Sequence, residues 1–316
     1  MIAAALAAFA VLAPAASAFK AHGGIKNAYV LDAKRGQRLQ LLNAGGHVVG
    51  SGRADRLGSK IFRDVAPGPG YRVRHGAKKT RPFRVLRAGE NPRQSFYKHI
   101  KLKQGLNYVK MRDGVELAMT VRLPGGKKLS DGPFPTLIEY SGYQTAAPHD
   151  LLTQILSGKP DPLAPASSTA VGSLIGLQLN FAVVSVQMRG SGCSGGAFDL
   201  FDLPTTYDGY DAVEAVGNQS WVKRHKVGLV GISFSGITQL FVSGTQPPHL
   251  GAIAPMSVTD DTYTGTGYPG GIFNSGFAKT WIEERMADAQ PAPRVARRGR
   301  RSSSRPATST ARPTRG

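Results

Sequence analysis

Val227-Gly228-Leu229-Val230-Gly231-Ile232 is a near-continuous apolar run that stops at a serine, and apolar helical spacing resumes at Ile237. A strand apolar on both sides has to be covered on both sides, which is the condition of a parallel sheet in an α/β protein. Three more runs share this texture: Thr136–Tyr140, Phe181–Val186 and Ala252–Met256. Residues Ala170–Leu179 and Tyr210–Val216, which lie between them, carry helical spacing. Tyr108–Lys110 and Val115–Val121 flank Met111-Arg112-Asp113-Gly114, which predicts a hairpin closed by a Gly-containing turn. The spacing therefore predicts one α/β unit over 106–290, built on a mostly parallel sheet.

Upstream, the texture is different. Residues 19–105 hold short apolar runs (Ala28–Leu31, Leu39–Leu42, Lys60–Val65, Tyr71–Arg74) separated by turn residues, which predicts a small all-β, sandwich-like domain. The formal net charge of +20 suggests a nucleic-acid binder until it is divided along the chain. Residues 19–110 carry 21 Lys and Arg against 4 Asp and Glu, whereas 111–290 carry 11 against 16. The α/β unit is thus not basic. In the β domain the alternating bases read either as solvated faces or as a weak contact with an anionic cell surface. No RNA- or DNA-binding motif accompanies them, and nucleic acid is not expected as a partner.

The two ends read as accessory segments. Ile2–Leu12 is apolar, and Pro14 and Ala16-Ser17-Ala18 follow, so residues 1–18 are expected to be a signal peptide cut before Phe19. Export would place the chain outside the cytoplasm, in keeping with Cys193 as its one cysteine. Residues 291–316 hold 8 Arg, no acid and almost nothing apolar, and are expected to be disordered. The 41% hydrophobic content excludes disorder for the chain as a whole.

Gly231-Ile232-Ser233-Phe234-Ser235-Gly236 sits between the Val227–Ile232 strand and a helix. A nucleophilic serine needs a sharp turn that lifts its hydroxyl clear of the sheet, with small residues two positions away so that the turn can close. Gly231 and Ser235 satisfy that, and the turn aims the Phe234 N–H at a helix start, where an oxyanion would sit. An ordinary strand-to-helix turn remains open on this segment alone. Gly190-Ser191-Gly192-Cys193-Ser194-Gly195 also fits a dinucleotide fingerprint, but a loop rather than a helix is expected after it, so that reading falls. Cys193 has no histidine placed to activate it. No cofactor and no metal are implied.

Taken in order, these segments resemble the X-Pro dipeptidyl-peptidase and cocaine esterase family of α/β-hydrolases. The elbow at 231–236 is similar to the family's G-x-S-Y-x-G, and Arg189–Gly196 to its R-G-x-G-x-S-x-G loop. Met111–Leu117, Pro135–Tyr143, Tyr207–Asp211 and Gln219–Trp221 are similar to its first hairpin, its oxyanion strand and the helix leading to the elbow. The resemblance implies an α/β-hydrolase sheet, incomplete at its C-terminal end, preceded by the small all-β domain. It implies Ser233 as nucleophile, with the Tyr143 hydroxyl and the Phe234 backbone N–H as oxyanion hole. Phe234 replaces the usual Tyr, and Gln187 stands where the family has an Asp, which is expected to loosen the Arg189 loop.

The triad is expected to be absent in part. In α/β-hydrolases an acid and then a histidine follow the serine. Only His249 follows Ser233, and it reads as a cap on the helix after the elbow; Asp260 and Asp261 have no later histidine to orient. The expectation is a truncated or frameshifted copy, inactive as a 316-residue chain, of a secreted enzyme cleaving a peptide, ester or amide through an acyl-serine. The alternative is a non-catalytic secreted fragment whose basic β domain binds anionic surface polymers.

Overall fold

The computed structural model describes residues 19–143, 145–146 and 171–289. The expected signal peptide, the Arg-rich tail and His149 lie outside the described residues.

Eight strands form the N-terminal part: β1 (Lys20–Gly23), β2 (Ala28–Leu31), β3 (Arg38–Leu42), β4 (Val48–Arg53), β5 (Lys60–Phe62), β6 (Gly68–His75), β7 (Lys78–Lys79) and β8 (Phe83–Val85). Strands β1-β2-β5 make one antiparallel sheet, and β4-β3-β6-β7 make another, with β8 also on β6. Alternate residues point inward, so Val30, Leu39, Leu41, Phe62, Val73 and Val85 form a core of their own between the sheets. Phe19 is buried in that core. The segment after it belongs elsewhere: α1 (Gln94–Lys98) brings Tyr97, and the chain beyond it Leu102, into the core of the larger sheet.

That sheet has six strands: β9 (Gly105–Lys110), β10 (Glu116–Arg122), β11 (Phe134–Ser141), β12 (Ala182–Gln187), β13 (Val222–Ile232) and β14 (Leu250–Met256), in the order β14-β13-β11-β12-β10-β9. Strands β11 to β14 run parallel, and the β9–β10 hairpin adds two antiparallel strands. Four helices accompany it: α2 (Val171–Gln178), α3 (Leu203–Gly217), α4 (Phe234–Gly244) and α5 (Phe277–Asp288). Side-chain alternation along β11 separates the layers. Tyr140 packs against the α3 and α4 side, where a Cβ at Gly209 would meet its ring and Val242, while Glu139 on the opposite side bonds Ser173 of α2. Helix α3 opens with the Asp202 carboxylate accepting the Thr205 N–H at 2.9 Å and Pro204 in the first turn, a well-made cap.

Three of the motifs singled out in the sequence converge on one buried cluster. Arg189 bonds both carboxylate oxygens of Asp208 at 2.7 and 2.6 Å, and Asp113 at 2.8 Å. Arg112 bonds Asp211 at 2.7 Å and lies 4.8 and 5.0 Å from the Tyr207 and Tyr210 ring centres. Tyr97 donates to the same Asp211 at 2.5 Å. These guanidiniums clamp the β9–β10 turn, the loop after β12 and helix α3 together. Removing one partner would leave a buried charge uncompensated, which typically costs about 3–5 kcal/mol. The clamp fixes the C-terminal edge of the parallel strands, where α/β folds place their sites.

Candidate active site

Strand β13 ends at Ile232 and helix α4 begins at Phe234, so Ser233 alone makes the turn. Its backbone is at φ 58° and ψ −117°, a conformation that L-residues hold only where the surroundings impose it. The surroundings are explicit. The Ser233 N–H donates to the Met256 carbonyl at 2.9 Å, and the Ser233 carbonyl accepts the Gly236 and Ile237 N–H groups at 2.9 and 2.8 Å. Gly231 has φ 154°, and a Cβ there would overlap that of Ser235. A Cβ at Gly236 would come within 2.5 Å of the Met256 carbonyl oxygen. The small residues expected around the serine are thus required by packing against one another and β14.

Tyr143 follows β11 by two residues and reaches the same edge. Its hydroxyl lies 3.4 Å from Ser233 Oγ. The Trp281 indole N–H donates to that hydroxyl at 3.1 Å. A phenol that accepts from Trp281 keeps its own proton for the serine side, where charge develops on an attacked carbonyl. Phe234, the first residue of α4, has a backbone N–H without an intrahelical acceptor. Its ring is buried and packs edge-on against Tyr143, Phe201 and Trp281 at 5.5, 5.1 and 5.2 Å. A Cβ at Gly142 would overlap the same ring, so Gly142 sets how closely Tyr143 approaches the elbow. The three residues expected to form the nucleophile and oxyanion hole are therefore brought together.

Ser233 opens on a cavity of about 520 Å³ whose walls include Phe201, Ile237, Val258, Phe277 and Trp281. The lining is mostly apolar, with the hydroxyl residues Ser257, Thr259, Thr262 and Thr266 besides Ser233, and suits an apolar acyl group held near a reacting carbonyl.

No described histidine is hydrogen-bonded to Ser233. His249 does not cap the helix after the elbow: its Nδ1 is 2.8 Å from Glu214 Oε2, and its N–H donates to Glu214 Oε1 at 2.9 Å, on the helix before the elbow. It precedes β14, whereas Ser233 follows β13, and the two strands run parallel. They therefore stand at opposite edges of the sheet, roughly 20 Å apart for six residues of strand. His225 is 2.9 Å from the Gly217 carbonyl, and His22 stacks on Tyr29. Asp261 takes the Thr264 hydroxyl and the Tyr263 N–H within its own exposed turn.

The Arg189 loop is not loosened by Gln187. That side chain is buried and donates to Ser191 Oγ at 2.7 Å and to the Gly142 carbonyl at 3.4 Å, so an amide spans the loop and the oxyanion strand. The loop contains no helix start; Gly190, Gly192 and Gly196 all have positive φ, and the next helix opens at Leu203. Burial pushes the Cys193 thiol up, away from the thiolate form a nucleophile needs. Among the described residues, no group of three or more His, Cys, Asp or Glu side chains is arranged to hold a metal.

Two contributors escaped the sequence reading. Trp281 lies 138 positions from the Tyr143 it bonds, and no local pattern connects them. Glu139 had a signal, a carboxylate inside a strand buried on both sides. It is fully buried, accepts the Ser173 N–H and hydroxyl, and lies beside Ser235 under the elbow. Burial pushes its carboxyl up to about 7, against the hydrogen bonds from Ser173 and the charge of Arg122.

The family model of the X-Pro dipeptidyl-peptidases (S15 family) matches residues 113–315. The chain belongs to the S15 family. The S15 match takes in the Arg189 loop, the elbow and helix α5, and continues to the Arg-rich end. Among curated relatives, a Mycobacterium bovis protein bearing the name serine esterase is 29% identical over 194 residues, 60% of this chain and 30% of its own length. The cocaine esterase of a Rhodococcus species is 29% identical over 191 residues, 58% of this chain and 30% of its own length. This S15 chain thus matches less than a third of the length of either relative. A solved CocE/NonD family hydrolase from Staphylococcus aureus aligns at 24% identity with a TM-score of 0.48, covering 64% of this chain and 39% of that one.

Proposed function

We propose that this chain carries the nucleophile and oxyanion hole of an exported S15-type serine hydrolase acting on a peptide, ester or amide with an apolar acyl group. The observation that carries the reading is the Tyr143 hydroxyl, held by Trp281, 3.4 Å from Ser233 Oγ above a strained elbow. In the reaction, Ser233 Oγ attacks the acyl carbon and gives its proton to a base. The carbonyl oxygen takes the negative charge toward Tyr143 and the Phe234 N–H. The C–N or C–O bond then breaks, the leaving group takes the proton, and water releases the acyl group by the same path. The names of the family and of the relatives, a peptidase and two esterases, support an acyl substrate of this breadth.

No described histidine is hydrogen-bonded to Ser233, and as part of this reading the 316-residue chain is expected to show no turnover of p-nitrophenyl acetate that Ser233→Ala removes. Enzyme-like turnover that Ser233→Ala abolishes would overturn this, and His149→Ala would be the next variant. The half-site is tested separately by prolonged fluorophosphonate labelling at about pH 8.5, where more serine is deprotonated. Slow labelling at Ser233 is expected, reduced about 10²-fold by Tyr143→Phe, the usual cost of one oxyanion donor. If Ser233 resists labelling even in the presence of excess probe, the non-catalytic reading takes its place.

A further inference from the structure

The outward face of the β4-β3-β6-β7 sheet is a basic surface that the catalytic reading does not use. The inward face carries Leu39, Leu41 and Val73, so Arg38, Arg72 and Arg74 project outward. The register sets bases directly opposite one another. Arg38 faces Arg53 across β3–β4, and Arg74 faces Lys79 across β6–β7. Like charges in direct register destabilise a sheet, and among the described residues none of these five bases has a carboxylate within ion-pair distance. Three of the four acids of this domain are engaged elsewhere: Asp32 pairs with Lys20, Glu90 pairs with Arg84, and Asp55 accepts the Ser59 hydroxyl.

Three of the guanidiniums are nonetheless fixed, by neutral acceptors. Arg74 bonds Gln40 Oε1 through Nε and Nη2 at 3.1 and 2.7 Å, Arg53 bonds the Gly36 carbonyl at 3.0 Å, and Arg72 bonds the Thr80 carbonyl at 3.2 Å. Each keeps further N–H donors for an outside acceptor, and its charge is unneutralised. Bases on neighbouring strands stand roughly 5 Å apart, and alternate bases on one strand roughly 7 Å apart. Side chains already held lose less freedom when a ligand binds.

We infer that this face binds a linear anionic glycan, its carboxylate, sulfate or phosphate groups taken one after another by Arg38, Arg53, Arg72, Arg74 and Lys79. A repeating linear polymer fits a flat grid of fixed cations better than the other polyanions. Single-stranded nucleic acid is held by stacking on aromatic side chains, and the tyrosines and phenylalanines of the sandwich core, Tyr71 and Phe62 among them, point inward. Bilayer surfaces are entered by aromatic or long aliphatic side chains, and the large apolar residues exposed on the described sandwich are Val48 and Val49.

The test uses the full chain and heparin, a linear sulfated glycan, at about 0.1 M salt, where exposed charges still act over about 10 Å. Heparin binding is expected, with Arg38→Gln/Arg72→Gln/Arg74→Gln weakening it at least about tenfold and flattening its dependence on salt by roughly two counterions. The equally discharged Lys98→Gln/Lys101→Gln/Lys103→Gln variant should change it less than about twofold. Arg38→Gln/Lys79→Gln, which removes no side-chain hydrogen bond described here, gives a second reading should the triple variant unfold, and is expected to weaken binding about fourfold or more. Equal losses in the two triple variants would reduce the effect to net charge and overturn the inference. So would an absence of heparin binding, or tighter binding to phosphatidylserine vesicles or single-stranded DNA than to heparin. None of these outcomes depends on Ser233.

Discussion

At the scale of single residues, Glu139 and Tyr143 show how one short strand serves two ends. Tyr143 points its hydroxyl at Ser233 from just beyond the strand, while Glu139 lies buried beneath the elbow. The carboxyl of Glu139 is raised from 4.5 to about 7, so the folded state keeps a proton that the unfolded chain releases earlier. The stability it contributes is complete below about pH 4.5 and is lost as the pH rises toward 7. Urea unfolding across that range should therefore show a decline, on the order of 3 kcal/mol, that is missing in Glu139→Gln. Parallel profiles for the two proteins would show that Glu139 titrates normally. The resemblance grouped Ser233, Tyr143 and Phe234, and the structure sets the Tyr143 hydroxyl 3.4 Å from Ser233 Oγ; the ends of the strands they follow are legible from apolar runs. The sequence could not place Trp281, whose position depends on how the chain after β14 folds back, nor show that Gln187 would hold the Arg189 loop with an amide.

Elements of secondary structure were easier to read than their arrangement. Continuous apolar runs marked β11, β12, β13 and β14, and helical spacing marked α2 and α3, because both periodicities are local. Strand order is not local. Strand β13 sits beside β11 rather than β12, a choice made by crossover geometry and packing. The same holds for the Arg189–Asp208–Asp113 clamp, assembled from three motifs that look independent along the chain. The joint between β13 and α4 depends most on one backbone position. Gly231→Ala adds a Cβ that collides with Ser235 and is strained at φ 154°. We expect it to lower stability by about 2 kcal/mol or more and to abolish fluorophosphonate labelling at Ser233. Ser235→Ala, which shortens the side chain at the same contact, should fold and still label. Chemical denaturation and labelling of both variants check the pair.

For the molecule as a whole, the charge along the chain corresponds to two bodies of different chemistry. The bases concentrate on a sandwich with its own core, and the acids on an α/β sheet where several are consumed in buried pairs. Phe19 is buried in the sandwich core, and the proposed signal-peptide cut falls immediately before it. N-terminal sequencing of protein recovered from outside the cytoplasm is expected to begin at Phe19. Intact Met1 in a cytosolic fraction would rule out export.

The cavity over Ser233 owes part of its shape to residues far from it in the chain. Helix α5 forms one wall and is pinned at two points: Trp281 to Tyr143 near the serine, and the Met286 carbonyl to the Arg56 guanidinium of the sandwich at 2.9 Å. The second pin crosses from one body to the other. The proteolytic history of the N-terminal part thus reaches the cavity over Ser233. A protease that clipped the sandwich around Arg56 would cut the second pin and spare the first, so the wall would loosen from its far end while Ser233 and Tyr143 kept their places.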